Sequence, residues 1–392
     1  MNQIFEDIRV LELANVLAGP SVGQFFAELG AEVIKIENPG TGGDVTRTWK
    51  LSSESSETDV SAYFSAVNSG KKSIALNLKN KDHYETFMDL VKISDIIIAS
   101  YKPGDAEKLG LDAKTLHEIN PSLIYGLITG YGEDIPKVGY DAILQAESGF
   151  MWMNGEPGGK SLKMPVALID ILAAHQLKEA VLLAIIQRLK NGKGAKVAVS
   201  LFDTAISSLA NQATNFLVAG KNPQKMGAEH PNIAPYGSVF ECNDKKQIVI
   251  AVGTDKQFQS LCKTLNINDL PIQSDFSTNS ARVKNRDRLN HLLQKAFDQF
   301  ESNEILSRLE QYKIPAGKLQ SVEDVFNSGT ANHLLIQSEL KTVGLRNFVA
   351  KSDFLKNSSH ISPPPFLNQH ANLVFGKLLG YSERRIQDLT FE

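Results

Sequence analysis

The stretch Ile8-Arg9-Val10-Leu11-Glu12-Leu13, followed by Ala18-Gly19-Pro20, a run to Leu29-Gly30, and Val33-Ile34-Lys35-Ile36, decides how the chain is read. Its outer segments are short, rich in β-branched and aliphatic residues and bounded by turn residues, as strands are. Between them, Pro20 suits the first position of a helix and Gly30 its stop. Residues 8–36 therefore predict a strand–helix–strand unit. The amides at such a helix start are a ready anion site. Glu37 closes the second strand about where a ribose-binding acid falls in a dinucleotide fold. Gly19 is the only glycine of the turn, however, so the G-x-G-x-x-G fingerprint is absent, and no nicotinamide or flavin is expected.

Outward from this unit the alternation continues. Residues 73–78 read as a short strand bracketed by Lys71, Lys72 and Lys79, a cluster of the kind that mostly lies solvated at a surface. Residues 84–93 read as an amphipathic helix, 95–99 as a buried strand and 100–104 as the turn off its end. A further strand covers 123–129, followed by Gly130-Tyr131-Gly132 and Gly139-Tyr140-Asp141. Asn191-Gly192-Lys193-Gly194 turns into a strand at 196–200, and 201–218 reads as one helix. This pattern predicts an α/β domain with a doubly wound parallel sheet. Ligands of such sheets bind at the carboxyl ends of the strands, which places Lys102 well for a phosphate.

Residues 165–169 read as a buried strand handing over at Asp170 to a helix whose apolar residues, Ile171 to Leu189, recur at helical spacing. Asp170 is expected to cap that helix and to be held ionised by its dipole. A plain cap is the competing reading of the same pattern. His175 points about 140° away around the helix, so it is no local base for Asp170.

With 392 residues the chain has room for two or three domains. A net charge of -3 gives no sign of a nucleic-acid surface, so an anionic ligand must be met by local basic groups. The first residues lack the pattern of a signal peptide, and no apolar run approaches a membrane span, so a cytoplasmic protein is expected. Cys242 and Cys262 are too few for a disulfide scaffold or a zinc site, and no metal is expected. There is no G-x-S-x-G elbow, no H-E-x-x-H and no C-x-x-C. Residues 155–161 resemble a Walker A loop only superficially and read as a flexible loop. A carboxylate can still act as nucleophile without a general base, since Asp is ordinarily ionised at neutral pH.

Periodicity lapses over 220–237, which reads as a linker. Beyond it, 238–242 and 247–252 form a hairpin, and helices are expected at 256–265, 286–300 and 303–312, giving a smaller α+β domain. Pro363-Pro364-Pro365 is a rigid spacer before a last helix near 382–389.

Taken in order, these motifs resemble the family III CoA-transferases along almost the whole chain. The residues that carry the resemblance are 10–13 with 18–20, 29–37, Asn68 with 71–79, Pro103-Gly104, Leu109-Gly110, 139–141, Ser148-Gly149, Asp170, 230–236, 314–317 and 379–381. The resemblance implies a Rossmann-like large domain over residues 1–219, a small α+β domain with its linker over 220–330, a return segment over 331–392, and an interlocked homodimer. It implies transfer of CoA from an acyl-CoA donor to a small carboxylic acid, with Asp170 as nucleophile forming first an aspartyl anhydride and then an aspartyl-CoA thioester.

The CoA site that the resemblance implies comprises Leu17, Ala18, Asn38, Leu76, Lys79, Ser100, Tyr101, Lys102, Lys108, Thr129, Gly130 and Tyr131. Lys102, Lys108 and Asn38 stand where many members carry arginine. Amides near Asp170 are expected to hold the oxyanion of each tetrahedral intermediate. Segments 230–236, 251–258 and 278–286 look most like members that use succinyl-CoA and other dicarboxylates. Two alternatives share the fold. One is an α-methylacyl-CoA racemase-like enzyme, whose catalytic histidine would fall at Tyr140; the other is a non-catalytic CoA-binding protein.

Overall fold

The structure, a computed structural model, describes residues 3–338, 341–355 and 361–390, so the return segment expected at 331–392 is seen through its described residues alone. In chain order it opens with β1 (Arg9–Leu13), α1 (Ala18–Glu28), β2 (Glu32–Glu37), α2 (Ala62–Ser65), β3 (Lys72–Ala75), α3 (Lys81–Lys92) and β4 (Ile96–Ala99). Then come α4 (Asp105–Lys108), α5 (Ala113–Ile119), β5 (Ile124–Thr129), α6 (Asp141–Glu147), α7 (Phe150–Met153), α8 (Leu168–Asn191), β6 (Ala195–Ser200), α9 (Leu201–Ser207) and α10 (Ala210–Ala219).

The β-branched runs of the first half line up as one sheet in the order β3-β2-β1-β4-β5-β6, with every neighbouring pair parallel. Helices cover both faces, so Val10, Leu11, Ile96, Ile97 and Ile98 are wholly buried. That is the condition under which all-parallel sheets occur. The strand order reverses between β1 and β4. A crevice forms beyond the strand ends at such a switch point.

Contacts divide the chain into two compact units: Met1–Gly149, Met164–Gly220 and Asn332–Glu392 in one, and Phe150–Lys163 with Lys221–Ala331 in the other. Residues 150–163, which the sequence reading keeps in its first segment, thus belong to the second unit. Trp152 Nε1 donates to Pro223 O at 3.1 Å and Gly227 N to Gly155 O at 2.9 Å, so this excursion is tied to the chain after residue 220.

The second unit contains an antiparallel sheet of β7 (Tyr236–Glu241), β8 (Gln247–Ala251) and β9 (Ala316–Lys318) in that order. Against it lie α11 (Asp255–Thr264), α12 (Asn279–Lys284), α13 (Arg286–Phe297) and α14 (Ser302–Gln311), with α15 (Val322–Asn327) following β9. Phe240, Ile248, Phe258, Leu261 and Phe297 centre its core.

The return segment adds the hairpin β10 (Leu335–Ser338) and β11 (Lys341–Leu345), a π-helical turn at Asn372–Leu378 and α16 (Glu383–Thr390). It closes the free edge of β3: His370 N donates to Ser73 O, and Asn368 Oδ1 accepts from Ala75 N at 2.8 Å.

Two local expectations are corrected. Residues 165–167 are not a strand, because the Gln145 side chain rather than a neighbouring strand meets their backbone; α8 begins at Leu168 and Asp170 is its third residue. The single helix expected over 201–218 is broken into α9 and α10, with Ala210 at φ 48° after the break.

Candidate active site

A cavity of about 400 Å³ opens at the switch point. Its wall is built from residues 15–19 after β1, 100–103 after β4, 128–130 at the end of β5, 137–141 entering α6, Leu201 after β6, and Asp170. These are carboxyl ends of adjacent parallel strands, so the fold itself brings sequence-distant turns together.

Close approaches set the wall's shape. A Cβ on Gly126 would stand 3.2 Å from Val181 and 3.4 Å from Leu177, so α8 lies directly on β5. At the mouth of β5 the backbones of Gly130 and Gly139 touch. A Cβ on Gly130 would meet Gly139 N at 2.7 Å, so any side chain there would push the start of α6 off the strand end.

The turn after β1 is held by buried charge. Glu12 receives Lys35 at 3.0 Å and Lys71 at 2.7 Å; Lys35 also pairs with Asp44 at 3.0 Å. These side chains reach the turn's backbone: Lys35 donates to Ala14 O at 2.7 Å, Lys71 to Pro20 O at 2.9 Å, and Asp44 accepts from Val16 N. Val16 has φ 69°, a costly conformation for a β-branched residue that persists only where its surroundings over-determine it. Behind the network, Arg47 grips Glu37 through Nε and Nη2 at 2.8 and 2.7 Å. The lysine cluster expected at the surface is therefore divided: Lys71 is buried, Lys72 pairs with Glu32, and Lys79 is exposed. Burial pushes the Lys71 ammonium down to about 8 against the pull of Glu12. Burial works the same way on Lys35, but Glu12 and Asp44 outweigh it and hold Lys35 above its ordinary value.

Asp170 is 8% exposed and lies in the first turn of α8, yet it does not cap the helix. The first-turn amide of Ile169 donates to Asp141 Oδ1 at 2.8 Å, while Leu168 and Ile171 donate to Val166 and Ala167 carbonyls. Those three amides are engaged within the fold. Among the described residues the Asp170 carboxylate has no hydrogen-bond or ion-pair partner. Burial, with Asp141 beside it, pushes its carboxyl up to about 7, against the expectation of a dipole-held anion. Desolvation and a like charge outweigh the dipole here. Tyr63 feels the same pair: burial and then Asp170 raise its phenol.

Of the residues expected at the site, Leu17, Ala18, Ser100, Tyr101, Lys102, Thr129 and Gly130 line the cavity with Asp170. Asn38, Leu76, Lys79, Lys108 and Tyr131 do not. Asn38 caps the turn Pro39–Thr41, Leu76 is in the core, and Lys108 pairs with exposed Asp105. Tyr131 stacks on Phe202 and donates to Glu147 at 2.8 Å. Lys137, a wall residue the sequence reading did not single out, is latched to Glu147 at 2.6 Å over the Tyr131 ring. Lys102 makes no ion pair among the described residues. Asp141 was visible only as part of a motif. Among the described residues no cluster of metal-ligating side chains occurs, and no helix is long and apolar enough to cross a membrane.

The site is thus a switch-point cavity with a buried, unpaired carboxylate in its wall. The model of CoA-transferase family III matches residues 5–371, and the chain belongs to that family. It is 38% identical to the succinate–glutarate CoA-transferase of Agrobacterium fabrum, across 81% of this chain and 80% of that one. It is 34% identical to the human succinyl-CoA:glutarate CoA-transferase, across 99% and 90%. A crystal structure of a CAIB/BAIF family protein from Brucella suis superposes with a TM-score of 0.83 at 38% identity, covering 96% of this chain and 100% of that one.

Proposed function

We propose that this CoA-transferase moves CoA from succinyl-CoA, or a similar dicarboxylic thioester, to a free dicarboxylic acid such as glutarate, with Asp170 as covalent nucleophile. The observation that carries the reading is the buried Asp170 carboxylate, without a partner of its own, in the wall of the switch-point cavity. The relatives named for succinate and glutarate support the substrate class.

The ionised Asp170 attacks the thioester carbonyl of the donor, forming an aspartyl–acyl anhydride and expelling CoA thiolate. The thiolate attacks the aspartyl carbonyl, releasing the donor acid and leaving aspartyl-CoA. The acceptor carboxylate attacks that thioester to form a second anhydride, and the thiolate then takes the acceptor acyl group, restoring Asp170. Each step exchanges one leaving group for one nucleophile, so no external base or metal ion is required. The neutral acid is no nucleophile, and the fraction of Asp170 that is ionised sets the rate below pH 7.

CoA is held at residues 15–19, 100–103 and 128–130, with Lys102 as a point charge for phosphate. The enzyme acts as a cytoplasmic homodimer. Leu183, Ile186 and Leu189 on α8 and Phe216, Leu217 and Val218 on α10 are at least half exposed, an apolar surface suited to a second copy of the chain.

Succinyl-CoA with hydroxylamine tests the assignment. The expected result is inactivation with a hydroxamate on Asp170, located by peptide mass spectrometry, and loss of transfer by at least about a thousandfold in Asp170→Ala and Asp170→Asn. Near-normal transfer by Asp170→Ala, or label on another carboxylate, refutes it.

A further inference from the structure

We propose that Asp141 and Gln145 are positioning residues of CoA transfer: a clamp on α6 that grips both the approach to α8 and its first turn, and so fixes where Asp170 stands in the cavity. The inference rests on Asp170 being the nucleophile.

The clamp is made of five contacts. Asp141 Oδ1 accepts from Ile169 N at 2.8 Å, and Asp141 Oδ2 accepts from Gln145 Nε2 at 2.7 Å. Gln145 Oε1 accepts from Met164 N at 2.8 Å, and its Nε2 also reaches the carbonyls of Met164 and Val166 at 3.4 and 3.5 Å. Gln145 is 1% exposed, so the whole of its amide is committed to this task. Residues 164–167 have no regular structure of their own, and Pro165 and Val166 are exposed. Gln145 thus gives this approach polar partners of the kind that a neighbouring strand would have given. Asp141 occupies the helix start, where an unpaired carboxylate such as Asp170 would otherwise be drawn. Asp170 is thereby left aimed at the cavity.

The same contact couples charge. The elements packed on α8 carry Glu28 on α1, Tyr125 on β5, Asp141 and Glu147 on α6, Lys196 on β6 and Asp203 on α9; His175, Lys178 and Glu179 lie on α8 itself. Lys102, Lys137 and Tyr140 face the cavity, and Tyr63 lies within the field of Asp170. Of these, Asp141 is the one that adds to burial in raising Asp170.

Two variants separate a clamp from a merely structural contact. Asp141→Asn keeps an acceptor for Ile169 N but loses the charge and turns an amide NH₂ toward Gln145. Gln145→Ala opens the approach and leaves the charge alone. Both are measured with succinyl-CoA and glutarate for kcat, KM and the acid limb of kcat/KM, alongside thermal melting. Both should lose about tenfold to a hundredfold in kcat, the scale of a displaced reacting group, with KM for succinyl-CoA nearly unchanged. The acid limb should move to lower pH in Asp141→Asn and stay in place in Gln145→Ala. An unmoved limb in folded Asp141→Asn, or wild-type kcat in both variants, overturns the clamp while hydroxylamine labelling of wild-type Asp170 still stands. Absence of that label in the wild type removes the nucleophile, and the clamp with it.

Discussion

Asp141 Oδ1 receives the Ile169 amide at 2.8 Å, so the acid that caps α8 stands beside the acid that α8 presents to the cavity. The helix start serves one carboxylate and leaves its neighbour to bear the cost of burial. Asp170 is left buried and without a partner of its own.

That arrangement should be visible in stability. Burial, with Asp141 beside it, pushes the Asp170 carboxyl up to about 7 in the folded chain, against 3.8 for an ordinary aspartate. Between those two values the folded state holds more protons than the unfolded one, so stability falls as pH rises through this window, and the full penalty is present above it. Asp170→Asn removes the penalty. It should melt higher than the wild type above pH 7, by up to about 4 kcal/mol in urea unfolding, and the gap should close as pH approaches 4. Equal stability across that range would contradict the burial argument.

The charged network under the β1 turn should fail from its centre. Glu12→Gln leaves Lys35 and Lys71 sharing a neutral amide in a dry interior, a change that typically costs about 3–5 kcal/mol. The loss should show in urea unfolding. Acyl-CoA binding should weaken as well, because Lys35 and Lys71 hold the backbone of the turn that lines the cavity.

Lys102 lines the cavity and makes no ion pair among the described residues. Lys102→Ala should raise KM for succinyl-CoA by about tenfold, one charge-assisted contact, while kcat stays within about twofold. Steady-state kinetics checks this split; a fall in kcat at constant KM would place Lys102 in the chemistry instead.

The apolar residues left open on α8 and α10 should be covered in solution. Analytical ultracentrifugation at nanomolar concentration is expected to show a dimer. Leu183→Glu with Leu217→Glu is expected to give monomer or aggregate, since two charges would replace buried apolar area. A folded, active wild-type monomer at that concentration would contradict the dimer.

Strands β1, β2, β4 and β5 were legible because a β-branched run between turn residues has few other homes. The run at residues 165–169 has the same composition and is no strand. Periodicity cannot see that Gln145, some twenty positions upstream, supplies the polar partners a sheet would have supplied. Asp170 could be found from its position before a helical run and from the resemblance, but its protonation could not. The cap comes from Asp141, 28 residues away. Lys71 read as surface for the same reason: its partner Glu12 lies 59 positions earlier. Short-range pattern reports backbone shape, whereas the charges that shape this site are settled by long-range pairing.

The turn between β1 and α1 also carries a timetable. Its backbone is held by Asp44 and by lysines from β2 and from the residue just ahead of β3, with Lys71 reaching back 51 positions to Pro20 O. A nascent chain that has made α1 but not Lys71 has this turn of the wall without one of the groups that hold it. Asp44 can already reach Val16 N, but Pro20 O still waits for its lysine. The wall of the site therefore sets only as the edge of the sheet closes, and the pocket forms together with the domain rather than ahead of it.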